Sequence, residues 1–479
     1  MTVVEPVRCS RIMNTNVPGI FFQLLAALLV NIIAITDGIT LGWTAPLIPY
    51  FISEESHIKM TIHEAEMMES WLLYGAITGL PVTMFLVDRI GRKKSVLVSC
   101  CVLSICWILV AVATTVHIIY GARFVMGIGL NMAYVAMPMY VGEIAHKNIR
   151  GLLSSFTFIF MLLGVLIIYC VGTYTPYYVP PTISVALLVI QFVGFIFMPE
   201  SAYYLLSKGK EEEARASLIK FRNGIGVEDE FKEMKEAYEN SKTEKGRIQD
   251  IFLVRSYRKA ILTMIFLNLA QLLSSYEIFL MNLHIILEEA GSTYISPGIV
   301  GIVFSAVTLT AAAAAATVVD KFGRKILMII SSFLTAICLL CIAIYFHLKV
   351  LEYDLTVVNW LPTVAVMAYA LSFKFGLGIV PIVLTSEIFA PKMKAIGMTL
   401  ADGMYVVSSI GALQLYFFLR DTYGMHVPFY LFALFTFFAG PYVWLFVPET
   451  KGKTLDEIQD ILKEKRIFMI KNTPKNTQT

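Results

Sequence analysis

The chain has 479 residues, of which 57% are hydrophobic and 15% charged, with a formal net charge of +3 and a mean hydropathy of +0.71. That balance lies far from the soluble average and indicates an integral membrane protein. The few charges are gathered in loops with no sustained basic face, which excludes nucleic acid as a partner and leaves the lipid bilayer and a small-molecule solute.

Crossing a hydrocarbon core of about 30 Å takes about 20 apolar residues. Twelve windows qualify, at 18–42, 70–87, 95–114, 117–142, 152–173, 180–198, 260–286, 297–319, 326–347, 358–386, 395–419 and 427–447. The first is too long for a signal-peptide core and lacks a small-residue cleavage site, so it is expected to remain in the mature protein.

Between spans 2 and 3 stands Asp88-Arg89-Ile90-Gly91-Arg92-Lys93, and between spans 8 and 9 Asp320-Lys321-Phe322-Gly323-Arg324-Lys325, starting 232 residues later. A repeat of whole membrane halves marks a duplicated carrier. Lysine and arginine favour cytoplasmic loops, and Arg89, Arg92, Lys93, Lys94, Lys147, Arg150, Lys321, Arg324, Lys325, Lys392 and Lys394 all fall on one side. Both termini are therefore expected in the cytoplasm, which requires an even number of spans.

The expected fold is an all-α membrane protein with twelve transmembrane helices in two pseudo-symmetric six-helix halves. Residues 1–198 form the first half, 199–259 a cytoplasmic helical insert, 260–447 the second half and 448–479 a cytoplasmic tail. Leu205, Leu218, Phe221, Phe231 and Met234 give the polar insert the spacing of short amphipathic helices under the bundle, the alternative being a charged linker. In the tail, Thr454-Leu455-Asp456-Glu457 has the form of a capping box, with Ile458, Ile461 and Leu462 behind it, and disorder is expected beyond Arg466. The seven cysteines have no metal-ligand spacing and read as small lipid- or helix-facing residues. No Asn-x-Ser/Thr acceptor, Walker sequence or nucleophile elbow occurs, no cofactor is implied, and an enzyme is not expected. Gly127-Ile128-Gly129 falls inside span 4, where glycine lets helices approach closely.

Further motifs stand in order along the chain. They are Gly121-Ala122-Arg123-Phe124-Val125-Met126-Gly127-Ile128-Gly129, Pro138-Met139-Tyr140-Val141-Gly142-Glu143, Arg150-Gly151, Pro199-Glu200-Ser201 and Pro448-Glu449-Thr450-Lys451-Gly452. With the two charged turns and Leu41-Gly42-Trp43-Thr44-Ala45-Pro46, the set resembles the sugar porters of the major facilitator superfamily, close to the insect facilitative trehalose and glucose transporters. The resemblance covers nearly the whole chain and implies the major facilitator fold, alternating access and a plasma-membrane address.

The charged turns suggest a latch. Asp88, Arg89, Arg92, Glu143 and Arg150 are expected to cluster at the cytoplasmic mouth, with Asp320, Arg324, Glu387 and Lys394 as the pseudo-symmetric mate. Ion pairs there would hold the halves together in one state and part in the other. Positive charge that sets topology would not by itself require the four acids.

At the substrate site the resemblance implies amide side chains, most of which are replaced. Phe158 stands for the span 5 glutamine, only Gln271 remains of the span 7 motif with Tyr276 in the place of its asparagine, Thr308 replaces the span 8 asparagine, and Tyr405 falls near the span 11 Asn-Trp pair. Gln271, Thr308, Tyr276, Tyr405 and Asn131 are the expected contacts, with Phe158 walling the cavity, and plain packing is the alternative for each. Asp37, Glu277, Lys374 and Asp402 are charges inside apolar windows and hence functional candidates. Glu277 is expected to pair with Lys374 or Asp37, or each to face its own water. Proton-driven members of the family carry an acid at the position of Thr44, near the arginine corresponding to Arg123. Thr44 cannot titrate, which favours uniport, with Asp37 two turns earlier as a displaced proton site.

Three readings follow: a facilitative sugar carrier for a hexose or a trehalose-like molecule; a carrier of a charged or amphiphilic organic solute, proton-coupled through the intramembrane charges; and a non-transporting sugar sensor. The intact latch charges speak against the sensor.

Overall fold

The computed structural model describes residues 19–146, 148–243, 253–291, 295–389, 393–451, 453 and 455–463, without the side chains of 240–243, 316, 317, 320, 321, 386, 394, 395, 455, 456 and 459. Lys147, Lys392, Thr454 of the expected capping box, and the tail beyond Arg466 lie outside the described residues, as do the side chains of Asp320, Lys321 and Lys394.

Contacts divide the chain into two compact units. Unit 1 runs to Thr243 and includes Leu280–Ile285 and Pro297–Leu309; unit 2 holds the remainder. In unit 1, α1 (Ile20–Gly42) continues past Trp43 into α2 (Thr44–Ile52), and α3 (Ile62–Ile90), α4 (Arg92–Ala111), α5 (Val116–Ile144), α6 (Arg150–Tyr174) and α7 (Val179–Phe195) follow. Three short helices come next, α8 (Ala202–Ser207), α9 (Glu211–Arg222) and α10 (Val227–Thr243). Then come α11 (Arg255–Leu272), α12 (Tyr276–Ala290), α13 (Pro297–Phe322), α14 (Arg324–Val350), α15 (Leu361–Lys374), α16 (Val380–Ile388), α17 (Lys394–Tyr423), α18 (His426–Phe446) and α19 (Leu455–Lys463).

Among the described residues, 11 stretches are long and apolar enough to cross a membrane, with α11 and α12 counted together, and α7 is a shorter apolar helix. The twelve-span reading therefore holds, with three adjustments. Helix α3 starts at Ile62, where Thr61 Oγ1 accepts from the Glu64 amide and Glu64 reaches back to the Thr61 amide, a reciprocal cap. Span 7 is two helices, parted at Leu273–Ser275, with Ser275 in the left-handed region at φ 71°. Span 10 is parted between Lys374 and Val380.

With no hydrophobic gain from pressing one apolar helix on another in lipid, close packing rests on small residues. Gly75 of α3 lies against the Phe124 carbonyl and Gly127 of α5 against the Leu72 carbonyl, so a β-carbon at either would collide with the partner backbone. The motif glycine of span 4 is thus a helix-contact residue. The six described cysteines are all free.

The insert forms the expected amphipathic helices. Leu205, Leu218, Phe221 and Phe231 are buried and Met234 packs against them. Arg222 is the pin that fixes them: it bonds both Glu230 oxygens at 2.7 and 2.8 Å and donates to the Ile144 carbonyl at 2.8 Å. Gln23 of α1 reaches the same place, donating to the Phe221 carbonyl and accepting from the His146 amide. In unit 2, Ile458 and Leu462 of α19 are buried in one core with Ala260, Met264 and Leu267 of α11 and Val443 of α18.

Candidate functional site

The two charged turns fold alike. Gly91 ends α3 at φ 101° and Gly323 ends α13 at φ 93°, conformations that L side chains rarely adopt. Each glycine also makes room for a carboxylate. Glu200 accepts from the Lys93 amide at 3.0 and 3.1 Å, and Glu449 accepts from the Arg324 and Lys325 amides at 3.0 Å each. These are charge-assisted caps on the bare amides of the helix that follows.

An ion pair then forms inside each unit. In unit 1, Arg92 Nε donates to Glu143 Oε1 at 3.2 Å, Ser201 Oγ donates to the other Glu143 oxygen, and Asp88 stands 3.6 Å from Arg92. In unit 2, Arg324 donates to Glu387 at 3.0 Å and Thr450 Oγ1 donates to the other Glu387 oxygen at 2.6 Å. Each turn is therefore closed by four parts: arginine, glutamate, capping glutamate and hydroxyl. Sequence reasoning found the first two. Ser201 and Thr450, each directly after its capping acid, were the signal for the rest. Arg89 lies over the Phe85 ring with 5.3 Å to its centroid, and Arg150 is exposed at the start of α6, outside the ion pairs seen among the described residues. Tyr204 roofs the first cluster. Its hydroxyl donates to the Arg89 carbonyl at 2.8 Å and its ring lies 5.1 Å from the Arg92 guanidinium. Burial, then the nearby Glu200 charge, pushes the Tyr204 phenol above its ordinary range, so it stays a donor.

A second constellation forms within unit 2, where the breaks of spans 7 and 10 are bonded to each other. Tyr369 donates to the Ser274 carbonyl at 2.6 Å and Gln271 Nε2 to the Gly378 carbonyl at 3.4 Å. The Tyr276 ring stacks on Phe373 at 4.9 Å, and Lys374 Nζ lies 3.7 Å from the Tyr276 centroid, a cation–π contact inside the protein. Glu277 takes hydrogen bonds from Tyr405 at 2.8 Å and from Ser409, so α17 holds the first turn of α12. Backbone freed by a helix break needs substitute partners, and Ser331 of α14 supplies them, accepting from the Leu377 amide at 3.0 Å and donating to the Ser372 carbonyl at 2.7 Å. Of the expected contacts, Gln271, Tyr276 and Tyr405 meet here with Glu277 and Lys374.

The others, Asp402 apart, belong to unit 1. Thr308 is buried and donates to the Phe304 carbonyl one turn back at 2.7 Å. Phe158 on α6, Asn131 on α5 and Asp37 on α1 are half-buried, and Asn131 Oδ1 has no hydrogen-bond partner. Arg123 is fully buried, donating to the Thr40 carbonyl at 2.9 Å with its guanidinium 4.9 Å from the Trp43 ring centroid. Asp402 is exposed on α17. Two acids that sequence reasoning passed over, Glu66 and Glu69, are buried on α3. They lie just before the apolar window that defined span 2, and the Thr61–Glu64 capping pattern was the signal that the helix begins ahead of them.

The family profile described as "Sugar (and other) transporter" matches residues 30–462. The facilitated trehalose transporter Tret1 of Bombyx mori is 28% identical over 95% of this chain and 90% of its own length. The protein of the same name from Polypedilum vanderplanki is 27% identical over 93% and 89%. Among solved structures, the inward-open xylose transporter XylE from E. coli superposes with a TM-score of 0.75 at 20% identity, covering 91% of this chain and 98% of that one. The major-facilitator proton:xylose symporter XylE bound to 6-bromo-6-deoxy-D-glucose gives 0.72 at 21%, over 93% and 100%. At those identities the structures establish the fold. With duplicated turns, broken helices and a family match over nearly its whole length, the chain belongs to the sugar (and other) transporter family: it is a multi-pass membrane carrier and not an enzyme.

Proposed function

We propose that this protein is a facilitative carrier of a sugar, a hexose or a trehalose-like molecule, that works by alternating access. The observation that carries the reading is the paired closure of the charged turns by Arg92, Glu143 and Ser201 in one unit and Arg324, Glu387 and Thr450 in the other. Such a duplicated brace is of use to a protein whose two halves must each move as a body. In this reading the divisions 1–198, 199–259, 260–447 and 448–479 are the two halves, the insert and the tail. Both termini and the charged turns face the cytoplasm, and the address is the plasma membrane. Gln271, Tyr276, Tyr405, Thr308 and Asn131 are the proposed sugar contacts, with Phe158 as an apolar wall. Thr44, a hydroxyl where proton-driven relatives carry an acid, supports uniport.

One observation favours a second reading. The Gln271 amide is already engaged with the Gly378 carbonyl, and the same two broken spans carry Glu277 and Lys374, a set suited to a charged or amphiphilic organic solute.

Uptake into proteoliposomes of labelled glucose, trehalose and a panel of organic ions, at two pH values and with a protonophore, separates the two. The sugar reading expects saturable, pH-indifferent sugar uptake that falls severely in Gln271→Ala. Movement of an organic ion without sugar uptake would replace it by the second.

A further inference from the structure

Inside unit 1, three helices bring polar side chains to one buried point that the sugar-contact set above does not include. Glu69 of α3 is fully buried and its Oε2 accepts from Asn282 Nδ2 of α12 at 3.2 Å. The Thr44 hydroxyl of α2 lies beside the same carboxylate. Glu69 Oε1, Asn282 Oδ1 and Thr44 Oγ1 all lack a partner although all three residues are fully buried. Arg123 of α5 is the cation whose field reaches Glu69, and Glu66, one turn back on α3, is the neighbouring acid. Buried polar atoms are almost always satisfied, so three orphans at one place mark a site for a guest.

The donor and acceptor inventory says which guest. A carboxylate oxygen and an amide oxygen can only accept, while a threonine hydroxyl both donates and accepts. The match is a group that brings two O–H donors a carbon–carbon bond apart and can itself accept: a vicinal diol. We infer that Glu69, Asn282 and Thr44 form a hydroxyl clamp that selects polyhydroxylated solutes, taking over recognition from the family amides this chain has lost. The inference rests on the sugar reading above and deepens it. The site is built from one unit alone, on a helix pair whose glycines hold α3 rigidly against α5.

The test uses the full chain in proteoliposomes, with uptake of whichever of D-glucose and trehalose the wild type carries, and competition by 2-, 3-, 4- and 6-deoxyglucose. A site built to bond a hydroxyl rejects the analogue lacking it, by about tenfold or more per charge-assisted bond. Wild type should therefore disfavour at least one deoxy analogue by that factor. Glu69→Gln should raise KM for the parent sugar about tenfold with turnover within about twofold, and erase its advantage over that same analogue. Asn282→Ala and Thr44→Val, which leave the carboxylate in place, should show the same fingerprint more weakly, and they carry the comparison if Glu69→Gln does not fold. Sugar uptake by wild type with unchanged analogue ranking in all three variants would mean that the orphans hold water only, and would overturn the clamp while leaving the sugar reading standing. No sugar uptake by wild type would overturn the sugar reading itself and the clamp with it.

Discussion

In unit 1 the Arg92–Glu143 pair sits beneath Tyr204, with side chains 7% and 16% exposed; in unit 2 the Arg324–Glu387 pair is 11% and 26% exposed. Both copies keep the glycine turn, the capping glutamate and the hydroxyl. The first adds an aromatic roof supplied by the insert, since Tyr204 belongs to α8. Duplication thus preserved the parts that satisfy helix ends and buried charge, where loss leaves a bare amide or an unpaired ion. What differs is the shielding from water, which sets how strongly the same ion pair is felt.

The largest effect should come from the arginines. At normal surface expression, Arg92→Ala and Arg324→Ala should each cut uptake at least about tenfold, since stripping one partner from a buried pair costs about 3–5 kcal/mol and these pairs are nearly buried. The drier copy should suffer more, so equal losses in uptake and in the detergent melting point would break the comparison. Next come the caps. Glu200→Gln and Glu449→Gln each weaken the charge-assisted bonds that the carboxylate takes from backbone amides, a loss of about 1–2 kcal/mol that should lower the melting point in both copies alike. The hydroxyls should give less, about 1 kcal/mol. Ser201→Ala should exceed Thr450→Ala, because Ser201 Oγ also accepts from the Tyr204 amide at 3.3 Å, and the melting points of the two variants measure that excess. The smallest change sharpens the comparison most. Tyr204→Leu removes a cation–π contact of about 0.5–1 kcal/mol, and in that background Arg92→Ala should cost no more than Arg324→Ala does in the native chain.

The spans were legible because hydropathy over twenty residues integrates many weak signals, and the gate arginines and glutamates because charge at a membrane edge has few reasons to exist. The helix breaks were not. Leu273–Ser275 contains neither glycine nor proline, and what parts the helix there is tertiary: Tyr369 takes the Ser274 carbonyl and α17 takes Glu277. The start of α3 was displaced because Glu64, Glu66 and Glu69 lower the apolar average of a helix that nonetheless buries two of them. For the substrate contacts, the motif gave positions but not partners. Gln271 was read as a sugar ligand from its place in the series, and only the fold reveals that its amide also braces Gly378.

The pin at Arg222 has an experimental use. Because α9 is fastened to the end of α5 through the Ile144 carbonyl and to α1 through Gln23, the insert is rigidly part of unit 1. Glu212 on its outer face is exposed. A fluorophore placed there would serve as a fixed beacon for the motion of unit 1 during turnover, without touching any side chain that meets the cargo.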